Sequence, residues 1–307
     1  MKYNEFCEKL KLTLASLFKG EYQVKLINVD KLNGVILKGL TVTNKKQNIS
    51  PTIYLESFYN KYNLGSTIHD IANEIYYDYL QKYVSGDNLF PFPSLNFTDY
   101  TTVQNKIYFR LINYQMNQQY LKNIPHKRWL DLAIVFNILV NNQQTEISSI
   151  TITHTLLENW QLTVDDIMKI ANYNTPILFS PSSKSLYETI YNILLEDNVD
   201  PSLINLMGSN ENCPMYVASN TKGIHGASWL LYPNELKKLS TILDSNLYIL
   251  PSSIHEVIVI PATKELSKSE LLNMVKEINQ SQVPINEVLS NNVYYYDSQI
   301  DQLQSLF

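Results

Sequence analysis

The segment Leu132–Val140, reading Leu-Ala-Ile-Val-Phe-Asn-Ile-Leu-Val, constrains this chain more than any other stretch. It is a nearly unbroken apolar run of strand length, so it predicts an internal strand covered on both faces. Asn141-Asn142 reads as a turn, and Ile147–Ile152 is placed to pair back against the run. A sheet with such a strand needs packed layers over it.

The flanking sequence supplies them. Phe6, Leu10, Leu14 and Leu17 recur at helical spacing until Gly20. Strands are predicted at Tyr22–Val29 and Gly34–Val42, joined through Asn33-Gly34 as a hairpin. Beyond Pro51, the residues Leu55, Phe58, Tyr59 and Tyr62 mark one helical face. Thr67 and Asp70 then form a capping box for a helix that turns Ile71, Ile75 and Tyr79 inward. Ser85–Ser94 contains Gly86, Asp87, Asn88, Pro91 and Pro93 and is the best boundary. The expected division is an N-terminal subdomain at 1–84 and a main domain at 95–307, with a further division near 176–212 left open.

In the main domain Lys106–Ile112 reads as a strand, and Thr155–Trp160 and Val164–Ala171 as helices, the second capped by Thr163 with Asp166. Ser185 with Glu188 starts another helix. Met215–Ala218 and Ala227–Leu231 read as strands around a polar connection. Pro233 begins a helix with Leu236, Leu239 and Leu243 on one side. Leu247–Leu250 and Ile254–Ile260 are predicted strands. A last helix follows Ser267 and Glu270 with Leu271, Met274 or Val275, and Ile278 inward, and Val293–Tyr296 is expected at a sheet edge. Strands that arrive as hairpins, without one helix per strand, predict an α+β fold with antiparallel-rich sheets. Its N-terminal portion is helix, hairpin and helix, and its C-terminal portion is larger.

Charge and composition narrow the function classes. Lys and Arg number 24 against 29 Asp and Glu, a net charge of −5, and the basic pairs are isolated, so a nucleic-acid surface is disfavoured. No apolar run approaches the roughly 20 residues that cross a bilayer. The opening Met-Lys-Tyr-Asn-Glu-Phe-Cys-Glu-Lys-Leu is not a signal peptide, which predicts a cytoplasmic protein. Cys7 and Cys213 alone make neither a disulfide framework nor a four-thiolate zinc site. The 22 tyrosines suit a protein partner or self-association, or equally ordinary packing.

Two segments carry the chemistry worth weighing. Pro251-Ser252-Ser253-Ile254-His255-Glu256 offers hydroxyls, an imidazole and a carboxylate, and strand alternation would send Ser253 and His255 to one face. No third group and no nucleophile elbow accompany them, so Ser253, His255 and Glu256 are catalytic candidates against a structural reading as a Pro-initiated turn. Thr221–Ser228 contains Lys222, Gly223 and Gly226, candidates for an anion cradle, but it lacks Walker spacing and a hairpin turn explains its glycines. His225 and Cys213 flank one strand. His69, His126, His154, His225 and His255 show no HxH or HExxH spacing, so neither a metal nor a cofactor is called for. Pro125–Asp131 mixes a basic pair, Trp129 and a carboxylate and could serve as a recognition surface, but a solvated approach to the buried strand with Lys127 or Arg128 paired to Asp131 is the favoured reading.

Six stretches, read together, resemble a bacterial family known as a domain of unknown function and common in gut Clostridia and relatives. They are Asn33–Val35 with Lys38–Leu40, Asn48–Leu55, Ile124–Arg128 with Leu130–Ala133, Ala171–Asn172 with Asn174–Thr175, Tyr216–Ala227, and Ile249–Val257. The second half also resembles, more distantly, another bacterial family whose Pro-Ser-Arg-Asp turn is replaced here by Pro251, Ser252, Ser253 and His255. Neither resemblance implies a reaction. The residues leave a non-enzymatic binding or protein-interaction role as the first reading. The alternative is a hydrolase or phosphate-ligand enzyme built on 221–227 and 252–256.

Overall fold

The computed structural model describes residues 1–43, 52–81, 96–143, 146–196, 215–263 and 267–307. Within it the chain forms two compact units, Met1–Pro93 and Ser94–Phe307. The expected boundary at 85–94 and Cys213 lie outside the described residues.

In the first unit, α1 (Tyr3–Leu17) precedes the antiparallel hairpin of β1 (Gln23–Asp30) and β2 (Ile36–Thr43). The connecting turn holds Asn33 at φ 58°, as an Asn-Gly turn requires. A three-residue strand, β3 (Thr52–Tyr54), adds to β2, and α2 (Glu56–Asn63) and α3 (Ile68–Tyr79) follow. The apolar stripe of α1, with Phe6, Leu10 and Leu14 fully buried, meets Ile71, Ile75 and Tyr79 of α3 and Leu40 and Val42 of β2 in one core. Each such side chain contributes roughly 1.5–3 kcal/mol when fully buried. Thr67 caps α3 by accepting from the Asp70 amide, and Asp70 answers the Thr67 amide.

The second unit contains two antiparallel sheets. The elements are α4 (Tyr100–Val103), β4 (Ile107–Asn113), α5 (Gln118–Leu121), β5 (His126–Trp129), β6 (Leu132–Gln143), β7 (Glu146–Thr151), α6 (His154–Asn159), α7 (Val164–Leu178), β8 (Pro181–Ser185) and α8 (Leu186–Glu196). They continue with β9 (Tyr216–Asn220), α9 (Glu235–Leu243), β10 (Leu247–Leu250), β11 (Val257–Pro261), α10 (Lys268–Ser281), β12 (Tyr294–Asp297) and β13 (Gln302–Ser305). The apolar run is β6, at the centre of a four-stranded sheet. It pairs with β4 on one side, and with β5 and then β7 on the other. The six-stranded sheet runs β13-β12-β10-β11-β9-β8.

The outer edge of β4 is closed by side chains. Asn174 Nδ2 donates to the Ile107 carbonyl, Thr175 Oγ1 accepts from the Phe109 amide, and Ser228 Oγ donates to the Phe109 carbonyl. These bonds satisfy backbone groups that a bare edge strand would leave open. They also explain why α7 continues past Ala171, where the sequence reading stopped it. Its polar Asn174 and Thr175 face the strand rather than ending the helix.

Other elements depart from the sequence reading. Ala227–Leu231 is not a strand: Gly226–Leu231 is a 3-10 helix, entered through His225 at φ 54°. The strand predicted from Ile254 begins only at Val257, and Pro251–Glu256 is a loop that bridges from Ser253 to Val288. Tyr294–Asp297 is not at the edge, because Gln302–Ser305 pairs outside it. On α10, Leu271 and Val275 are buried while Met274 and Ile278 are not. Among the described residues no helix is long and apolar enough to cross a membrane.

Candidate functional site

The two singled-out segments meet in the second unit. Ser219 on β9 donates through Oγ to the His255 carbonyl at 2.7 Å, joining the strand before the 221–225 turn to the 251–256 loop. Gly226 lies against this junction: a Cβ there would stand 1.9 Å from Ser219 Oγ and 2.3 Å from the His255 oxygen. This close approach brings His225 beside His255, with rings nearly parallel at 11° and centroids 6.1 Å apart.

The hydrogen bonds fix the tautomers. The His225 amide donates to His255 Nδ1 at 3.4 Å, so in the neutral ring the proton is on Nε2, which faces Glu287 Oε2 at 3.8 Å. Arg110, in the middle of β4, donates through its guanidinium to His225 Nε2 at 3.3 Å, which leaves the His225 proton on Nδ1. Burial first, and then the Arg110 and His255 charges, hold His225 well below the ordinary 6.5. Tyr108, two residues along β4 on the same face, stacks on His225 at 6.3 Å. Burial raises its phenol above the usual range.

The same face of the sheet continues in polar side chains. Tyr108 is opposite Asn137, and Asn137 opposite Thr151. Arg110 is opposite Val135, which is opposite His126. Asn137 Nδ2 and Tyr120 Oη both contact Thr151 Oγ1, at 3.3 and 3.1 Å. Among the described residues, three buried atoms of this cluster find no hydrogen-bond partner: Arg110 Nε, Asn137 Oδ1 and His225 Nδ1. The Ser149 side chain is a hydrogen-bonding neighbour of the Tyr108 hydroxyl and lowers its phenol, against the larger raising effect of burial.

The catalytic candidates therefore divide. His255 is partly exposed beside Glu287. Ser253 is only 5% exposed and accepts from the His255 amide at 3.0 Å, a backbone role inside the loop. With 251–256 irregular, strand alternation does not set the directions of Ser253 and His255. Glu256 contacts Ser253, and burial raises its carboxyl above the ordinary 4.5, partly offset by His255 and Ser253. A raised carboxyl pKa favours the folded state where Glu256 is protonated, and that contribution is lost as pH rises through its folded pKa. Glu256→Gln should thus raise the melting temperature near pH 7 by about 1–3 °C and change it little below the ordinary carboxyl value. Thermal unfolding at both pH values measures this.

The anion-cradle candidates sit in a turn organised by Asn220. Its Oδ1 accepts from the Lys222 amide, its carbonyl from the Gly223 amide, and its Nδ2 donates to the Ile224 carbonyl. Gly223, at φ 65°, makes the turn, whereas Gly226 serves the close approach. Asp131 is not paired with Lys127 or Arg128. Lys127 reaches Asp165 at 2.7 Å, Arg128 lies over the Tyr114 ring, and Asp131 accepts from Ser290, Asn292 and Tyr294. A separate cavity of about 310 Å³, lined by Trp129, Tyr232, Lys237, Tyr296 and Asp301 among others, contains none of the candidates.

Sequence reasoning passed over Arg110, Tyr108, Asn137 and Glu287. The available signal was a charge at an otherwise apolar strand position, Phe109-Arg110-Leu111, and an asparagine inside the apolar run.

A model of the Family of unknown function (DUF5688) matches residues 3–298 of the chain. No curated protein and no solved structure matches it. The chain belongs to that family.

Proposed function

We propose that this member of a family of unknown function is a binding protein rather than an enzyme, with its ligand site where His225, His255 and Arg110 meet. The observation that carries the reading is the occupation of His255 Nδ1 by the His225 amide. A histidine that serves as general base needs a free ring nitrogen facing the nucleophile. Here one nitrogen receives a backbone donor, the other faces Glu287, and the nearby Ser253 hydroxyl is held by the loop. Side chains with open hydrogen-bonding capacity at a partly exposed histidine pair suit ligand capture. The same reading sets the protein in a bacterial cytoplasm.

The test is a thermal-shift and calorimetric screen of the full chain against small-molecule metabolites, with ester and phosphoester turnover assayed in parallel. A saturable ligand should stabilise the wild type and act much more weakly on His255→Asn, whose amide oxygen can still accept from the His225 N–H. Turnover abolished by Ser253→Ala or His255→Asn would overturn the reading in favour of a hydrolase. Equal ligand response in wild type and His255→Asn would place binding elsewhere.

A further inference from the structure

We infer that the ligand of this site is a small oxyanion, a phosphate- or carboxylate-bearing molecule gripped by the Arg110 guanidinium with His225 and Tyr108 beside it. This rests on the binding role proposed above and adds the chemistry of what is bound.

Donors outnumber acceptors around Arg110. A guanidinium carries five N–H donors, keeps its charge in proteins, and accepts nothing. Arg110 is half-buried; among the described residues its hydrogen-bonding contact is His225 Nε2, and its Nε is buried without an acceptor. His225 Nδ1 adds a further buried donor without an acceptor, and Tyr108 stacks beside it. The unpartnered Asn137 Oδ1 is the single open acceptor in the cluster. The cluster has surplus donors around a permanent cation, and the complementary group is an anion with several lone pairs.

The acids of this region do not supply it. Glu287 faces His255, Glu256 turns to Ser253, and Asp131 is bound by Ser290, Asn292 and Tyr294. No ion pair involves Arg110 among the described residues. A charge partly withdrawn from water without a counter-ion is unfavourable, and such groups mark candidate ligand sites. The 221–225 turn, the sequence-level candidate for an anion cradle, is not where these donors are. Its Lys222 and Gly223 amides are already bonded to Asn220.

A consequence concerns protons. The groups around His225 are Arg110, Tyr108 and His255, with Glu287 and Glu256 beyond His255. Burial, and after it the Arg110 and His255 charges, keep His225 neutral; an anion seated against Arg110 offsets the Arg110 part, so any proton linkage runs toward uptake and binding weakens as pH rises.

The experiment is isothermal titration of the full chain with inorganic phosphate and, separately, with succinate, in two buffers of different ionisation heat. Saturable 1:1 binding of one of them, with a buffer-dependent heat that reports proton uptake, is expected. Which of the two binds assigns the source of the oxyanion. Arg110→Met should weaken binding at least about tenfold while leaving the anion-free melting temperature equal or higher, because it removes an uncompensated charge of similar stem length. Lys25→Ala, in the other unit, should bind like wild type. If Arg110→Met does not fold, the ring resonances of His225 and His255 in wild type replace it and should shift saturably with the anion. Anion binding unchanged in Arg110→Met, or histidine resonances that do not move, overturns the inference. A neutral metabolite that saturates the site while neither anion does overturns the oxyanion alone and leaves the binding role standing. No ligand of either kind overturns both.

Discussion

Gly226→Ala should unfold the second unit or lower its melting temperature by more than 10 °C, the largest effect expected from a single methyl group in this protein. The added Cβ would stand 1.9 Å from Ser219 Oγ, 2.9 Å from Ser219 Cβ and 2.3 Å from the His255 carbonyl oxygen. A serine oxygen alone can rotate away, at the loss of its bond to that carbonyl. The carbonyl is backbone and can yield only if the 251–256 loop moves. That loop is pinned by Ile254 to the Glu287 carbonyl, Leu289 to the Ser252 carbonyl and Ser290 to the Pro251 carbonyl. Overpacking that displaces backbone costs about 1–3 kcal/mol or more, and the broken Ser219 bond adds about 1 kcal/mol. Gly223→Ala is the control. It has nothing within 4 Å, and its φ of 65° limits the cost to left-handed strain of about 1–2 kcal/mol. Calorimetry on both variants decides the matter. Equal losses would mean that the close approach is relaxed in solution, and the stacking of His225 on His255 with it. Adding Ser219→Ala to Gly226→Ala should not restore stability, since the carbonyl remains.

This junction shows why the site was only half legible in the sequence. Gly226, His225, Ser253 and His255 all drew notice for their residue types, but their meeting depends on the pairing of β11 with β9, which sets the 251–256 loop against Ser219. Nothing in the local pattern announces that. Arg110 comes from still further away, 115 positions before His225. Features closed within one turn of helix were readable: Thr67 with Asp70 and Thr163 with Asp166 form the reciprocal caps that their spacing predicts. The long apolar run was readable because burial on both faces leaves no polar positions except Asn137. Short strands were not. Thr52–Tyr54, His126–Trp129, Pro181–Ser185 and Gln302–Ser305 are strands because a neighbour offers backbone partners, and three to five mixed residues carry too little alternation to reveal it. The strand-like Ala227–Leu231 errs in the opposite sense. Ala227–Leu230 are buried, and burial alone does not distinguish a strand from a tight helical turn.

Asp131→Ala should lower the melting temperature of the second unit by about 5–10 °C, corresponding to about 2–4 kcal/mol. Asp131 lies in the two-residue turn between β5 and β6, yet its carboxylate faces the segment leading into β12. Oδ2 accepts from Ser290 Oγ at 2.6 Å and Asn292 Nδ2 at 3.0 Å, and Oδ1 accepts from the Tyr294 hydroxyl at 2.5 Å. The bonds join the turn of the four-stranded sheet to the six-stranded one, and Asn113 Nδ2, donating to the Leu289 carbonyl at 2.9 Å, runs alongside. Ser290 and Tyr294 are fully buried, so water cannot readily replace the lost acceptor. Truncation therefore leaves donors desolvated and unpaired, which is costlier than the bonds themselves are favourable. Burial and the Asp131 charge together push the Tyr294 phenol well above its ordinary value, so it remains a donor throughout the accessible pH range. Asp131→Asn separates charge from shape. Its single oxygen can keep one strong donor while its NH2 meets another donor, so most of the loss should persist. Pairing Asp131→Ala with Tyr294→Phe and Ser290→Ala should recover part of the stability, because the orphaned hydroxyls are removed with their acceptor. If the triple variant is no more stable than Asp131→Ala alone, unpaired donors are not the cause. The loss would then come from the turn itself, where Leu130 is held at φ 54°, and Leu130→Gly in the Asp131→Ala background should restore what the triple variant did not.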